Sequence, residues 1–371
     1  MSLYLYSHDA ALAKKTGITK VGFQIFKSLN LNKIKFTFLS HATRNSILLE
    51  FDGIINSNIK FILLRYRTYA VKNKLKKAIM LFVNIFRYRL KSSNFNNKDV
   101  ILFNHLEYTP EFSSFLKTCK SKKVAWIHGT PNGFLSTPKV AKKINFIVDL
   151  YNSVDMVVHL NKTSLDSWKS YGMKTRGVII NNTIEVKQPT IQIDNIDVLL
   201  IGTINERKGF GYLLEQLDLL ENINFNINII GKLEGNFAHM FTQKIEEHQN
   251  INYLGLVSDP ENYISSAKLV WCLSKGEGQS LAMLESLEKG KPIISANYQA
   301  AEDIVNNNKN GYLIEDELIT SFIKHTEELL SDEKKYVSFS NFSKELFKSK
   351  FSNEIFNKNI NKLIKDVTTN S

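Results

Sequence analysis

The stretch from Ser274 to Ser295 constrains this chain more than any other. An apolar run, Leu269 to Leu273, feeds a loop holding Gly276 and Gly278. Leu281, Leu284 and Leu287 then recur at helical spacing, and the pattern stops at Gly290 with Pro292 just beyond. The order is strand, glycine loop, helix, strand. Such a loop aims several backbone N–H groups and the positive end of the helix dipole at one point. That point suits a phosphate.

Two carboxylates frame the loop, Glu277 before the helix and Glu285 one turn past Leu281. An ionised carboxylate only accepts hydrogen bonds, so it can take two hydroxyl donors of a sugar ring at once. Two such acceptors flanking an anion site suit a nucleotide diphosphate sugar, one for the ribose and one for the transferred sugar. Their spacing alone carries little, since roughly one such pair is expected by chance in a chain this long.

Glu277, seven intervening residues and Glu285, followed by Gly290-Lys291-Pro292, resemble the signature of the retaining glycosyltransferases of family four, which have the two-domain GT-B fold. The resemblance implies that Glu277 contacts the donor sugar, that Glu285 hydrogen-bonds the ribose, and that amides from Gly278 through Gln279 and Ser280 to Leu281 hold the diphosphate. It also implies retention of anomeric configuration.

At 371 residues the chain fits two domains better than one core. Cys119 and Cys272 stand far apart in apolar surroundings and read as buried thiols in a reducing compartment. Polar His8 and Asp9 precede any apolar core, so no signal peptide is expected, and no uncharged run reaches the length of a membrane span. A cytoplasmic protein is expected.

The net charge is +12, and eleven of the 48 Lys and Arg lie between Gly53 and Lys98, where no acidic residue occurs; the rest of the chain holds 37 basic residues against 36 acidic. Within this block Leu75, Ile79, Phe82, Phe86 and Leu90 form a helical stripe flanked by lysines and arginines. A basic amphipathic helix with aromatics suits an anionic membrane surface, so peripheral docking through Lys60 to Lys91 at the inner membrane face is the preferred reading. A solvated face over a core helix competes with it. No nucleic-acid module accompanies the block, and a nucleic-acid partner is not expected.

Along the chain, strands are expected at Leu3–Tyr6, 34–39, 47–51, Val100–Phe103, 124–127, 155–160, 178–180, 197–201, 225–231, 251–254, 267–273, 293–295 and 310–314. Repeated alternation with helices implies parallel sheets, an α/β chain of two Rossmann-like domains facing a central cleft. The resemblance sets the domains at 1–187 for the acceptor, 188–350 for the nucleotide sugar and 351–371 for a helix returning to the first.

Lys14 to Thr19, with Gly17, leads from the first strand into an amphipathic helix at 21–29, and Gly17 matches the family's first donor loop, although an ordinary tight turn would look the same. His128 follows the strand at 124–127, at the sheet edge where open α/β folds bind ligands, and matches a family histidine facing the donor sugar. A structural histidine is the competing reading, and His105 is a weaker candidate. Gly202-Thr203-Ile204-Asn205-Glu206-Arg207-Lys208-Gly209 matches the family's diphosphate loop at Lys208 and Gly209. Thr203 stands where that family has an arginine, which leaves open whether Arg207 supplies the second cation.

The function expected is transfer of a sugar from a nucleotide diphosphate sugar, UDP favoured over GDP, to a hydroxyl of a lipid-linked or cell-envelope glycan. Glu277, Lys208 and His128 are the catalytic candidates. No Asp-x-Asp tripeptide and no His/Cys cluster occurs, so neither a metal nor another cofactor is expected. Gly209-Phe210-Gly211 lacks the third glycine of a dinucleotide fingerprint. Two rivals remain, a GT-B protein that binds nucleotide sugar with little turnover, and a serine hydrolase using Ser280 with His325.

Overall fold

A computed structural model describes residues 2–6, 17–39, 83–86, 88–135, 138–194, 196–234, 237–316 and 318–369. The expected strand at 47–51, the part of the helical stripe from Leu75 to Phe82 and the residues 14–16 before Gly17 lie outside these. Contacts divide the chain into two compact units, Met1–Asn182 with Asn353–Ser371, and Thr183–Ser352. The border therefore falls before 183 and not at 187, because Ile184 packs with Met283 and Leu284 and Lys187 pairs with Glu261.

The first unit carries β1 (Leu3–Tyr6), β2 (Thr37–Leu39), β3 (Val100–Phe103), β4 (Lys122–Ile127), β5 (Met156–His159) and β6 (Gly177–Ile179). Among the described residues these form one parallel sheet in the order β2-β1-β3-β4-β5-β6. β3 and β5 are buried throughout, as expected where helices cover both faces and strands become continuous apolar runs. Alternate residues feed two cores. Val100 and Leu102 pack with Phe26, Leu29 and Ile360, whereas Ile101 and Phe103 pack with Phe112, Phe115 and Trp168. Each such fully buried side chain contributes about 1.5–3 kcal/mol relative to exposure.

The strand expected at 34–39 begins only at Thr37, because the preceding helix, Gly17–Leu31, runs on and turns at Lys33, whose φ is 55°. The final helix, Asn353–Thr369, belongs to the first unit. Phe356, Ile360, Leu363 and Val367 lie in the core shared with Phe26, Asn361 Nδ2 donates to Asn32 Oδ1 at 2.7 Å, and Lys122 Nζ donates to the Val367 carbonyl at 3.1 Å.

The second unit carries β7 (Val198–Ile201), β8 (Ile227–Ile230), β9 (Ile251–Tyr253), β10 (Leu269–Cys272), β11 (Ile293–Ala296) and β12 (Gly311–Ile314). They form a parallel sheet ordered β12-β11-β10-β7-β8-β9. The strand order reverses between β7 and β10, where Leu199 lies beside Val270. Chain leaving the carboxyl ends of these two strands diverges to opposite sides, and in open α/β sheets the crevice so formed is where ligands bind. The diphosphate-loop candidate follows β7 and the glycine loop follows β10. No described helix is long and apolar enough to cross a membrane.

Candidate functional site

One glycine brings the loops after β7 and β10 together. Gly209 has a φ of 80°, a conformation that L side chains rarely adopt, and a Cβ there would lie 1.9 Å from the Leu273 carbonyl oxygen. Only glycine lets the first loop approach the end of β10 this closely. Gly202 at the other end has a φ of 146°, which L side chains rarely adopt, and the Lys208 stem lies across it, Cε 3.6 Å from where a Cβ would stand. Asn205 caps the short turn Glu206–Lys208 by accepting from the Lys208 amide at 3.0 Å, and Asn205 Nδ2 donates to Glu234 Oε2 at 3.1 Å.

Lys208 Nζ forms an ion pair with Glu277 Oε1, and the same oxygen accepts from Ser274 Oγ at 2.7 Å. Arg207 reaches over the same loop, its Nη1 donating to the Gly276 carbonyl at 3.4 Å, while the Lys275 amide donates to the Arg207 carbonyl at 3.1 Å. Arg207 thus supplies a second cation beside Glu277, which the half-buried Thr203 does not. Burial would raise the Glu277 pKa, but Lys208, Ser274 and Arg207 outweigh it and hold the carboxyl below its ordinary value. Glu277 is therefore ionised at neutral pH.

Under the carboxylate lies a cavity of about 20 Å³, lined by Lys208, Cys272, Glu277, Ser280 and Met283. That volume holds about one water and no sugar. Burial, and then the charge of Glu277, push the Cys272 thiol pKa up. Burial, Cys272 and Glu277 do the same for the Tyr298 hydroxyl, which lies 3.2 Å from Met283 Sδ. Both groups stay protonated, so they add no competing negative charge to the site.

The helix Leu281–Glu288 starts where the leucine spacing places it, and Ser280 caps it with an oxygen that accepts from the Met283 amide at 3.5 Å. Gly278, Gln279 and Leu281 complete this turn, with Gln279 and Ser280 buried. Glu285 stands half-buried in the second turn of the same helix. The capping geometry speaks against the hydrolase reading. His325 stacks on Tyr312 with ring centroids 3.8 Å apart and bonds Glu328 at 3.1 Å, so its recorded partners are not Ser280.

His128 and Gly17 belong to the first unit. Gly17 opens the helix Gly17–Leu31. His128, just past β4, lies 2.5 Å through Nε2 from the Asn104 carbonyl oxygen. A carbonyl only accepts, so Nε2 carries the hydrogen and Nδ1 keeps a lone pair. Burial lowers the His128 pKa to about 4 against the opposing pull of Asn104, with His105 adding to the fall. The ring is neutral at pH 7, a hydrogen-bond acceptor and not a cation.

Ser274 and Asn205 were not among the sequence-derived candidates. A serine just past a strand and an asparagine in a loop are both common, and although each meets a group only three residues on, neither residue type marks such a contact by itself. The basic block offers a similar lesson. Val83, Phe86 and Leu90 are 40%, 58% and 56% exposed, whereas Asn84 and Tyr88 are completely buried, so the part of the stripe at Phe86 and Leu90 faces outward. Tyr88 fixes this helical stretch by packing edge-on against Phe112 and Phe115.

The sequence model of the family described as glycosyl transferases group 1 matches residues 181–346, which span both loops and the helix after them. An uncharacterized glycosyltransferase of Haemophilus influenzae is 25% identical over 198 residues, covering 51% of this chain and 56% of its own length. The poly(ribitol-phosphate) alpha-N-acetylglucosaminyltransferase of Staphylococcus aureus is 24% identical over 299 residues, covering 78% of this chain and 59% of its own length. The chain thus spans under two thirds of these curated relatives. The crystal structure of Anabaena HepE in complex with UDP superposes with a TM-score of 0.74 at 13% identity, over 99% of this chain and 100% of that one. The fold is GT-B, built from two Rossmann-like units.

Proposed function

We propose that this chain moves a sugar from a nucleotide diphosphate sugar, with UDP preferred to GDP, to a hydroxyl of a cell-envelope or lipid-linked glycan, retaining anomeric configuration. The observation that carries this is the meeting of Lys208, Arg207 and Glu277 at the strand-order reversal, beside a glycine loop that enters a capped helix. The UDP in the Anabaena structure and the glycan acceptor in the Staphylococcus aureus relative's name support the two substrate classes.

Charge builds on the diphosphate as the glycosidic bond breaks. Lys208, Arg207 and the amides from Gly278 to Leu281 are prepositioned for that charge, and donors that strengthen in the transition state accelerate the step more than uniform binding does. Ionised Glu277 accepts from hydroxyls of the donor sugar and Glu285 from the ribose. The missing arginine at Thr203 would favour a binding protein without turnover, but Arg207 restores that cation. Hydrolysis or transfer of donor separates the two readings.

The test is a thermal-shift panel of UDP, GDP, ADP and their sugars on wild type and Glu285→Ala. A ligand at a hundred times its Kd adds about 2.7 kcal/mol, so stabilisation of the wild type and its loss in the variant support the reading. No shift with any nucleotide defeats it.

We also propose that the protein sits peripherally on an anionic membrane at its cytoplasmic face. Exposed Val83, Phe86 and Leu90 beside Arg89 and Lys91 support this, with about 1 kcal/mol per cation near such a surface. Wild type should sediment with phosphatidylserine vesicles at low salt, and Phe86→Asp with Leu90→Asp should not. Equal sedimentation of both proteins, or of neither, defeats the proposal.

A further inference from the structure

Glu277 has two oxygens, and the structure treats them differently. Oε1 takes both the Lys208 ammonium and the Ser274 hydroxyl. Lys208 is also one of the two cations assigned to the diphosphate above, and an ammonium drawn toward a phosphate relaxes its hold on the carboxylate. A carboxylate with no second anchor would then turn freely about its last bond, and its acceptor oxygens would no longer be aimed.

The geometry points to Ser274 as a positioning residue that pins Glu277 Oε1, keeping Oε2 presented to the donor sugar while Lys208 is engaged by the diphosphate. Ser274 suits this task because it follows β10, a central strand of the sheet, by only two residues and is 2% exposed, so its hydroxyl is held by packing. The hydroxyl is neutral and stays on the carboxylate whatever charge arrives, whereas Lys208 and Arg207 both respond to a phosphate. Cys272 and Tyr298 lie against the same carboxylate from β10 and from the turn after β11, and both stay protonated, so Lys208 and Arg207 are the charged groups that face it. A fixed acceptor matters because an ångström of misplacement at a reacting centre costs on the order of a hundredfold in rate.

This inference rests on the donor-transfer reading, and its test separates the two. UDP and the UDP-sugar that binds wild type most tightly among UDP-glucose, UDP-galactose and UDP-N-acetylglucosamine would be titrated calorimetrically into wild type, Ser274→Ala and Ser274→Thr. In Ser274→Ala the affinity for UDP should stay within twofold. The gain of the UDP-sugar over UDP should shrink about tenfold, and threonine, which keeps the hydroxyl, should restore it. The acid limb of the kcat/KM profile should move to higher pH in Ser274→Ala, because the lost hydrogen bond helped keep Glu277 ionised, a change that simple loosening of β10 would not produce.

An unchanged UDP-sugar gain in Ser274→Ala, an equal loss for UDP and UDP-sugar, or no gain in wild type overturns the role given to Ser274. Failure of UDP itself to bind wild type strikes at the donor reading instead.

Discussion

Replacing Gly209 by alanine tests the geometry on which the site depends. The added Cβ would stand 1.9 Å from the Leu273 carbonyl oxygen and 2.6 Å from its carbon, whereas real Cβ contacts stay beyond 3.0 Å, so the two loops must part by at least about 1.1 Å. The obstacle is backbone and cannot rotate away. A left-handed alanine costs roughly 1–2 kcal/mol and overpacking against fixed neighbours about 1–3 kcal/mol more, so a loss of about 2–5 kcal/mol is expected. Either the loop bearing Lys208 moves, or the end of β10 moves with Ser274 and Glu277. Both outcomes pull the ion pair apart, and UDP-sugar turnover should fall on the order of a hundredfold. Guanidinium unfolding and kcat/KM measure the two effects. Gly276→Ala is the control, since a Cβ there meets nothing within 4 Å and its φ is not positive, and its stability should stay within about 1 kcal/mol of wild type. Wild-type unfolding and turnover in Gly209→Ala, or an equal loss in Gly276→Ala, would refute the argument.

Three further outcomes follow from the same structure. Gly290→Ala is also strained, at a φ of 68°, but its clashes are with the side chains of Lys344 and Ser340, which can shift where backbone cannot; unfolding should show a cost of only about 1–3 kcal/mol, with UDP affinity unchanged. Lys208→Met removes one partner of a mostly buried pair, and with Ser274 and Arg207 still present the cost at pH 7 should be about 2–4 kcal/mol. The folded pKa of Glu277 is lowered from 4.5, so the stability of the pair is present above that value and lost as pH falls below it; the deficit of Lys208→Met should therefore shrink below pH 4.5, and an equal deficit at pH 7 and pH 3.5 would count against the pair. His128 has its pKa lowered from 6.5 to about 4, so wild type should lose about 2–3 kcal/mol between those pH values, and His128→Asn should flatten that slope while leaving the similar share of His159.

The sequence by itself determined the alternating strands and helices, the helix at Leu281–Glu288 and the loops at Gly202–Gly209 and Gly276–Gly278. Their signals are local. Buried parallel strands read as unbroken apolar runs, helix faces repeat every three or four residues, and glycine marks backbone that other residues cannot adopt. Glu277, Lys208 and Glu285 were legible for the same reason, since each sits at a fixed offset from such a landmark.

Only the tertiary structure decided which side chains share the site. β7 and β10 are some seventy residues apart, and the pairing of Leu199 with Val270 puts Lys208 on Glu277, Arg207 over Gly276 and Gly209 against Leu273. Ser274 reaches Glu277 locally but shares it with Lys208 only through that pairing, and His128 owes its neutral state to burial and its tautomer to Asn104 at the neighbouring strand's end. Packing likewise chose which side of the basic stretch faces outward, because Tyr88 has an aromatic cluster to enter and Phe86 does not. Residue identity determines local conformation and the charge a group can carry. Distance across a sheet determines which charge it keeps and what it can hold.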